Sequence, residues 1–311
     1  MKILLDTDIG YGTDADDAVA LAYLLRQPEC ELLGITTVGL HADWRAEMAD
    51  VICHRLGKPE IPIAAGADQP LFSDQYWQEN PIRPWPGDGC LKPSGTYQTN
   101  QALELMRQVI RENPNEITLI TIGQFTNLAT LLLADPETAG LLKEVVSMGG
   151  AMEYPPGQPR GECNVILDPV AAGIVFQRLG EQFTLVPIDV VRGMPLEAEQ
   201  LAQIFANDES MDALREACGG WKKTKGKNHV GLADPATVAL VFDQSLAVTE
   251  KGTAGLHLYD HPLPEGQAFD NDAMTGATYF EKAPDGPHRV VRKIHKERMH
   301  EHLMRVLTAN S

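Results

Sequence analysis

The sequence predicts one α/β domain over residues 1–311, built on a mostly parallel sheet with helices on both faces. A few extra antiparallel strands are expected near the C-terminus. Three observations predict this. Short β-branched apolar runs alternate with helix-periodic segments along most of the chain. Composition is that of a packed globule, 43% hydrophobic and 22% charged, with no low-complexity tract. Towards the end, residues 254–259 and 288–294 alternate apolar and polar side chains, as antiparallel edge strands do.

The elements follow in order. Residues 2–6 read as a buried strand, and a helix is expected from about Asp14 to Arg26. Leu32 to Val38 is a second strand, rich in β-branched residues. Ala46 to Leu56 is helical, closed by Gly57 with Pro59 beyond it. Ile61 to Gly66 is a third strand. Residues 67–98 break the rhythm with Pro, Gly, Asp and Trp, and a loop of that length is usually functional or disordered. Helix 99–112, strand Ile117 to Ile122, helix 126–134 and strand Val145 to Met148 resume the pattern. A loop at 151–165 precedes a helix at 168–180 and a strand from Phe183 to Ile188. Residues 195–217 are expected to be one helix, followed by a basic segment, Gly219 to Gly231, with four lysines. Asp234 opens a helix through Val241, and Glu297 to Leu307 forms the last one.

Charge narrows the function classes. The formal net charge is −17 and the pI about 4.9. Such a balance disfavours a general affinity for nucleic acid or for an anionic membrane surface. No apolar run reaches the length of a membrane span. The first apolar run lacks a basic leader, so a secretory signal is not expected and a cytoplasmic location is. Five cysteines, Cys30, Cys53, Cys90, Cys163 and Cys218, are scattered without a CxxC pair, which reads as reduced thiols.

The chemistry concentrates at the start of the chain. Asp6, Asp8, Asp14, Asp16 and Asp17 place five carboxylates within twelve residues. Like charges at that density repel, so some must be protonated, solvated or paired with a cation. Asp6 and Asp8 fall at the carboxyl end of the first strand, where parallel sheets bind ligands. Asp16 and Asp17 fall in the first turn of the next helix. Oxygen ligands of this kind suit Ca²⁺ or Mg²⁺ better than zinc. Helix capping by Asp14, with Asp16 and Asp17 favoured by the helix dipole, explains some of these acids, but not Asp6 and Asp8.

The stretch Leu5-Asp6-Thr7-Asp8-Ile9-Gly10 with Asp16-Asp17-Ala18-Val19-Ala20-Leu21 resembles the amino-terminal signature of the inosine–uridine-preferring nucleoside hydrolases. The resemblance continues through Ile35-Thr36-Thr37-Val38 and Gly123-Gln124-Phe125-Thr126-Asn127-Leu128. Further on it includes Met148-Gly149-Gly150, Glu162-Cys163-Asn164 with Asp168-Pro169, Val186-Pro187-Ile188-Asp189, and Asp234-Pro235-Ala236. It implies a Rossmann-like parallel core and a calcium-dependent hydrolase that splits ribonucleosides into ribose and free base. It also implies a homo-oligomer, dimer or tetramer. By resemblance, Asp8, Asp17, the Thr126 carbonyl and Asp234 would bind Ca²⁺, with ribose hydroxyls and water completing its six to eight oxygens. Asp16 would be the general base and Asp6 its supporting partner, while Glu162 and Asn164 would hold ribose hydroxyls. Each has a structural alternative: Thr126 and Asp234 as helix caps, Glu162 as a loop charge, Asn164 as a turn former.

Departures from the family pattern fall on base recognition. The loop between the acid pairs is lengthened by residues that include Tyr11 and Asp14, and Asp14 could compete with Asp16 as the base. Ala233 stands where the inosine–uridine branch has a His, with His229 nearby as a possible substitute. His41 aligns with an Asn of the family, or Gly39 or Leu40 does. Trp85 or Trp221 could stack on a base ring, worth about 1–3 kcal/mol. The lysines at 222, 223, 225 and 227 read as a solvated loop or as a lid that attracts an anionic substrate.

Two other functions stay open on the residues alone. Leu4-Leu5-Asp6-Thr7-Asp8 resembles the nucleophile motif of haloacid-dehalogenase-type phosphatases, although Gly10 replaces the Thr or Val that motif wants. The metal and ribose half could also bind a nucleoside or pentose without cleaving it.

Overall fold

In a computed structural model the described residues are 1–72, 92–153, 161–206, 208–258 and 276–309. The chain opens with β1 (Lys2–Thr7), α1 (Asp16–Arg26), β2 (Glu31–Thr37), α2 (Ala42–Arg55) and β3 (Ile63–Ala65). It continues with α3 (Ala102–Glu112), β4 (Ile117–Thr121), α4 (Thr126–Ala134), α5 (Pro136–Ala139) and β5 (Glu144–Met148). Next come α6 (Cys163–Ile166), α7 (Pro169–Arg178), β6 (Phe183–Val186), α8 (Ile188–Val191), β7 (Pro195–Leu196), α9 (Ala198–Phe205) and α10 (Asp212–Lys225). The last elements are β8 (Val230–Gly231), α11 (Ala233–Phe242), β9 (Ala247–His257), β10 (Ala277–Lys282), β11 (His288–Ile294) and α12 (Lys296–Leu307).

The sheet order is β10-β9-β11-β6-β5-β4-β1-β2-β3. From β3 to β11 neighbouring strands are parallel, while β9 is antiparallel to both β11 and β10. The first three strands build outward one way from β1 and the next three build outward the other way from β4. The order therefore reverses between β1 and β4, and such a reversal opens a crevice at the carboxyl ends of those strands. One face is packed by α1, α2, α11 and α12 through Val19, Leu21, Ile52, Val238 and Leu303. The other is packed by α3, α4 and α7 through Met106, Ile110, Leu128, Leu131 and Val175. The central strands are buried on both faces, which is why β1 and β4 read as continuous apolar runs.

Several boundaries differ from the sequence reading. α1 starts at Asp16, with Ala15 at its N-cap and no side-chain cap bond. The Asp14 carboxylate instead accepts the Ala15 N–H, at 2.8 Å. α2 starts at Ala42, four residues early, because the Asp68 carboxylate takes the Ala42 N–H at 3.0 Å. The expected helix over 195–217 is β7, α9 and the start of α10, with the chain turned by an Asp208 cap on Ser210. α10 then runs on to Lys225, so three of the four lysines lie on helix rather than loop. Near the C-terminus β9 begins at Ala247 and β11 lies inside the sheet between β6 and β9, not at its edge.

Candidate active site

The cleft sits at the order reversal. The loop after β1 brings Asp8 and Asp14, α1 brings Asp16 and Asp17, and α11 brings Asp234. Ile122 and Met148, just beyond β4 and at the end of β5, form its floor with Glu162 and Asn164 beside them. Its space is about 880 Å³, counting the part open to solvent, which suits a small molecule. Close backbone approach makes this possible: a Cβ on Gly123 would lie 2.8 Å from the Asp8 nitrogen and 2.7 Å from Val38. Only glycine lets the loop after β4 sit that near the acid loop.

Three carboxylates converge most tightly. Asp16, Asp17 and Asp234 each present an oxygen within 4.8 Å of the others, and all three side chains are buried. Asp16 and Asp234 lie close enough for the charge of each to disfavour ionisation of the other. Thr7 Oγ1 donates to Asp17 Oδ1 and fixes that carboxylate towards the end of β1. Burial raises all three well above the usual carboxylate range, and their neighbours' negative charges add to it, Asp8 among them. The Arg45 charge opposes this at Asp17. A cluster of buried hard oxygens whose charges cannot coexist is a set that a divalent cation fits. All donors are oxygen, so Ca²⁺ or Mg²⁺ fits better than a thiophilic metal.

Asp6 lies beneath the cleft and does not line it. It accepts Thr36 Oγ1 at 2.6 Å and Asn127 Nδ2 at 2.8 Å, and its buried Oδ2 has no hydrogen-bond partner among the described residues. Burial pushes its carboxyl up to about 7, with Asp8 adding to the rise. Asn127 also donates to the Thr37 carbonyl and accepts from Ala67 N–H, so this node ties together the ends of β1, β2 and β3 and the start of α4.

Glu162 and Asn164 sit on the opposite wall. Glu162 caps α6 and accepts three backbone N–H groups, from Asn164 and Gly150 at 2.9 Å and from Val165 at 3.3 Å. Burial nevertheless holds its carboxyl up at about 7. Asn164 Nδ2 donates to the Ile122 carbonyl at 2.9 Å and to the Met148 carbonyl at 3.2 Å. With Nδ2 engaged below, the amide oxygen is the part of the side chain left for a ligand.

Other sequence-based candidates divide. Trp221, half-buried on α10, and Ala233 line the cleft. His229 precedes β8 and does not line it, and neither does Thr126. Thr126 Oγ1 donates to Asp168 at 2.6 Å, and its carbonyl accepts Thr130 Oγ1 at 2.8 Å within α4. His41 is also turned away. It adopts φ 59° before α2 and stacks on Trp44 with ring centres 3.9 Å apart. Trp85 lies outside the described residues. The sequence reading missed Arg45, Ile122 and Met148 as lining groups. The rule that ligands bind at strand carboxyl ends would have found the last two.

The fold and the cleft together define a mostly parallel α/β protein with buried carboxylates gathered at a strand-order reversal. The family description "Inosine-uridine preferring nucleoside hydrolase" matches residues 3–301, and the chain belongs to that family. It is accordingly an enzyme that hydrolyses ribonucleosides. A "Pyrimidine-specific ribonucleoside hydrolase RihA" of Klebsiella pneumoniae subsp. pneumoniae is 31% identical, over 82% of this chain and 84% of its own. The protein of that name from Escherichia coli strain SMS-3-5 is 29% identical over 94% and 93%. Among solved structures, a "Purine-Preferring Ribonucleoside Hydrolase from Gardnerella vaginalis" superposes with a TM-score of 0.81 at 22% identity, covering 99% of this chain and 98% of the other. A "Plant nucleoside hydrolase - PpNRh1 enzyme" gives 0.77 at 24% identity, covering 99% of both. These structural likenesses speak for the fold.

Proposed function

We infer that the chain cleaves the N-glycosidic bond of a ribonucleoside with the help of Ca²⁺ held by Asp8, Asp17 and Asp234, and with Asp16 as general base. The observation that carries this is the gathering of Asp8, Asp16, Asp17 and Asp234 around one cleft, more carboxylates than a cation needs, with the last three within 4.8 Å of one another. The neutral oxygen donor is assigned to the carbonyl of Ile122, a residue that lines the cleft, in place of that of Thr126, which does not line it. Calcium, when bound, supplies an anchor for the ribose hydroxyls and a more acidic water.

The remaining work belongs to the chain. Glu162 and the Asn164 amide oxygen accept ribose hydroxyls and set the sugar's orientation. Asp16 takes a proton as water attacks C1′, its ionised form favoured once a cation offsets the neighbouring negative charges. As the C1′–N bond breaks, its electron pair leaves with the base, which takes a proton from solvent, while the surrounding carboxylates stabilise the positive charge that grows on the ribose. Trp221, Ala233 and Ile188 form an apolar wall against which the base can lie. Asp14 is a second carboxylate within reach of the same space, since a Cβ on Gly231 would lie 3.8 Å from Asp16 Oδ2 and 3.9 Å from Asp14 Oδ2. We extend the reading to a cytoplasmic homo-oligomer with a role in nucleoside salvage. No described helix is long and apolar enough to cross a membrane.

The test is a panel of purine and pyrimidine ribonucleosides with the purified protein in calcium, following free base and reducing sugar. Equal release of both from at least one nucleoside is expected, with loss on chelation. A panel with no release sinks the hydrolytic reading and leaves the binding-only alternative.

A further inference from the structure

We propose that Arg45 is the positioning residue of the metal loop: its guanidinium clamps the backbone bearing Asp8 to the connection between β2 and α2. This rests on the calcium reading above.

Arg45 lies in the first turn of α2 with 1% of its surface exposed. Burying a guanidinium is costly unless its donors are used. Here they reach two separate loops. Nη1 donates to the Asp8 carbonyl, and at 3.4 Å to the Ile9 carbonyl, while Nε donates to the Leu40 carbonyl at 3.0 Å. Asp8 begins the loop after β1, and Leu40 belongs to the loop after β2. One planar group thus fixes the distance between them, and its rigid fork suits this better than a flexible ammonium. Arg45 also lines the cleft, and its charge acts on Asp17.

Two roles are conceivable for a cation here, and they have opposite signs. As a charge alone, Arg45 would compete with calcium, and deleting it would tighten calcium binding. As a clamp, deleting it would release the Asp8 backbone and weaken binding. The bonds run to the backbone of a ligand-bearing residue, and this favours the clamp. Residues that orient metal ligands are typically worth about 10–100-fold in metal affinity.

The experiment is calcium titration calorimetry on the wild type, Arg45→Met and Arg45→Lys, with melting curves in chelator to establish folding. Arg45→Met is expected to raise the calcium Kd about 10–100-fold. Arg45→Lys should recover only part, because one ammonium cannot span both loops. Excess calcium should restore most of the turnover of Arg45→Met, a rescue that general loss of structure would not show. Calcium binding by Arg45→Met as tight as wild type, or tighter, overturns the clamp. If Arg45→Met fails to fold, an unchanged Kd in Arg45→Lys overturns it. A wild type that binds no calcium removes the metal reading itself, whereas a binding wild type matched by its variants removes only the clamp.

Discussion

The carboxyls of Asp16 and Asp234, from α1 and α11, bring an oxygen each within 4.8 Å of one another in the buried cleft. Burial and the neighbouring negative charges favour the protonated form of both carboxyls, and a metal ligand must give its proton up. Calcium binding should therefore release about one proton at neutral pH. Calorimetry in buffers of different ionisation enthalpy measures that number. No release would mean that the acids are already ionised without metal.

The proposed mechanism gives Asp16 a role apart from metal binding. Asp16→Asn should lower kcat by about 10²–10⁴-fold, the usual worth of a positioned general base. Its calcium affinity should change far less than that of Asp17→Asn. Steady-state kinetics beside metal titration checks this. Equal damage to both properties would make Asp16 a ligand, and Asp14, which lines the same cleft, would then be the next candidate for the base.

Without metal the protein should lose stability as pH rises. The Asp6 and Glu162 carboxyls are raised by burial from 3.8 and 4.5 to about 7. A carboxyl with a raised folded-state pKa stabilises the fold while protonated, fully below its unfolded pKa and not at all above its folded one. The Tm in chelator should fall from about pH 4 to about pH 8, through that window. Calcium should offset the fall increasingly towards neutral pH. Melting curves across pH, with and without calcium, check both. A Tm that rises with pH in chelator contradicts the burial argument.

Much of this was legible in the sequence. The alternation of apolar runs and helical segments gave the parallel core because strands buried on both faces are apolar throughout. The acid pairs could be placed because they fall at a strand end and a helix start. Thr126 misled because a Thr-Asn pair at a helix start looks alike whether it faces a ligand or a neighbour; its actual partner, Asp168, is 42 residues away. Arg45 could not be tied to the acid loop from sequence, since its partners there, Asp8 and Ile9, lie more than thirty residues back. His41 was an alignment argument, and a left-handed backbone with a ring stack on Trp44 turned it aside.

Trp221 lines the cleft and belongs to the proposed base wall. Trp221→Ala should cost about 1–3 kcal/mol of base binding, roughly 5–160-fold in kcat/KM. The loss should fall mainly on KM. A kcat loss at unchanged KM would give Trp221 a part in the chemical step.

The central claim is that Asp8, Asp17, Asp234 and the Ile122 carbonyl enclose a calcium ion while Asp16 stays free to move a proton. A crystal structure grown in calcium tests it most directly. The account predicts an ion with oxygen ligands at about 2.3–2.6 Å among those four groups, with Asp16 beside it but uncoordinated. An ion held by Asp16 in place of Asp8, or a cleft that stays empty at saturating calcium, would contradict it.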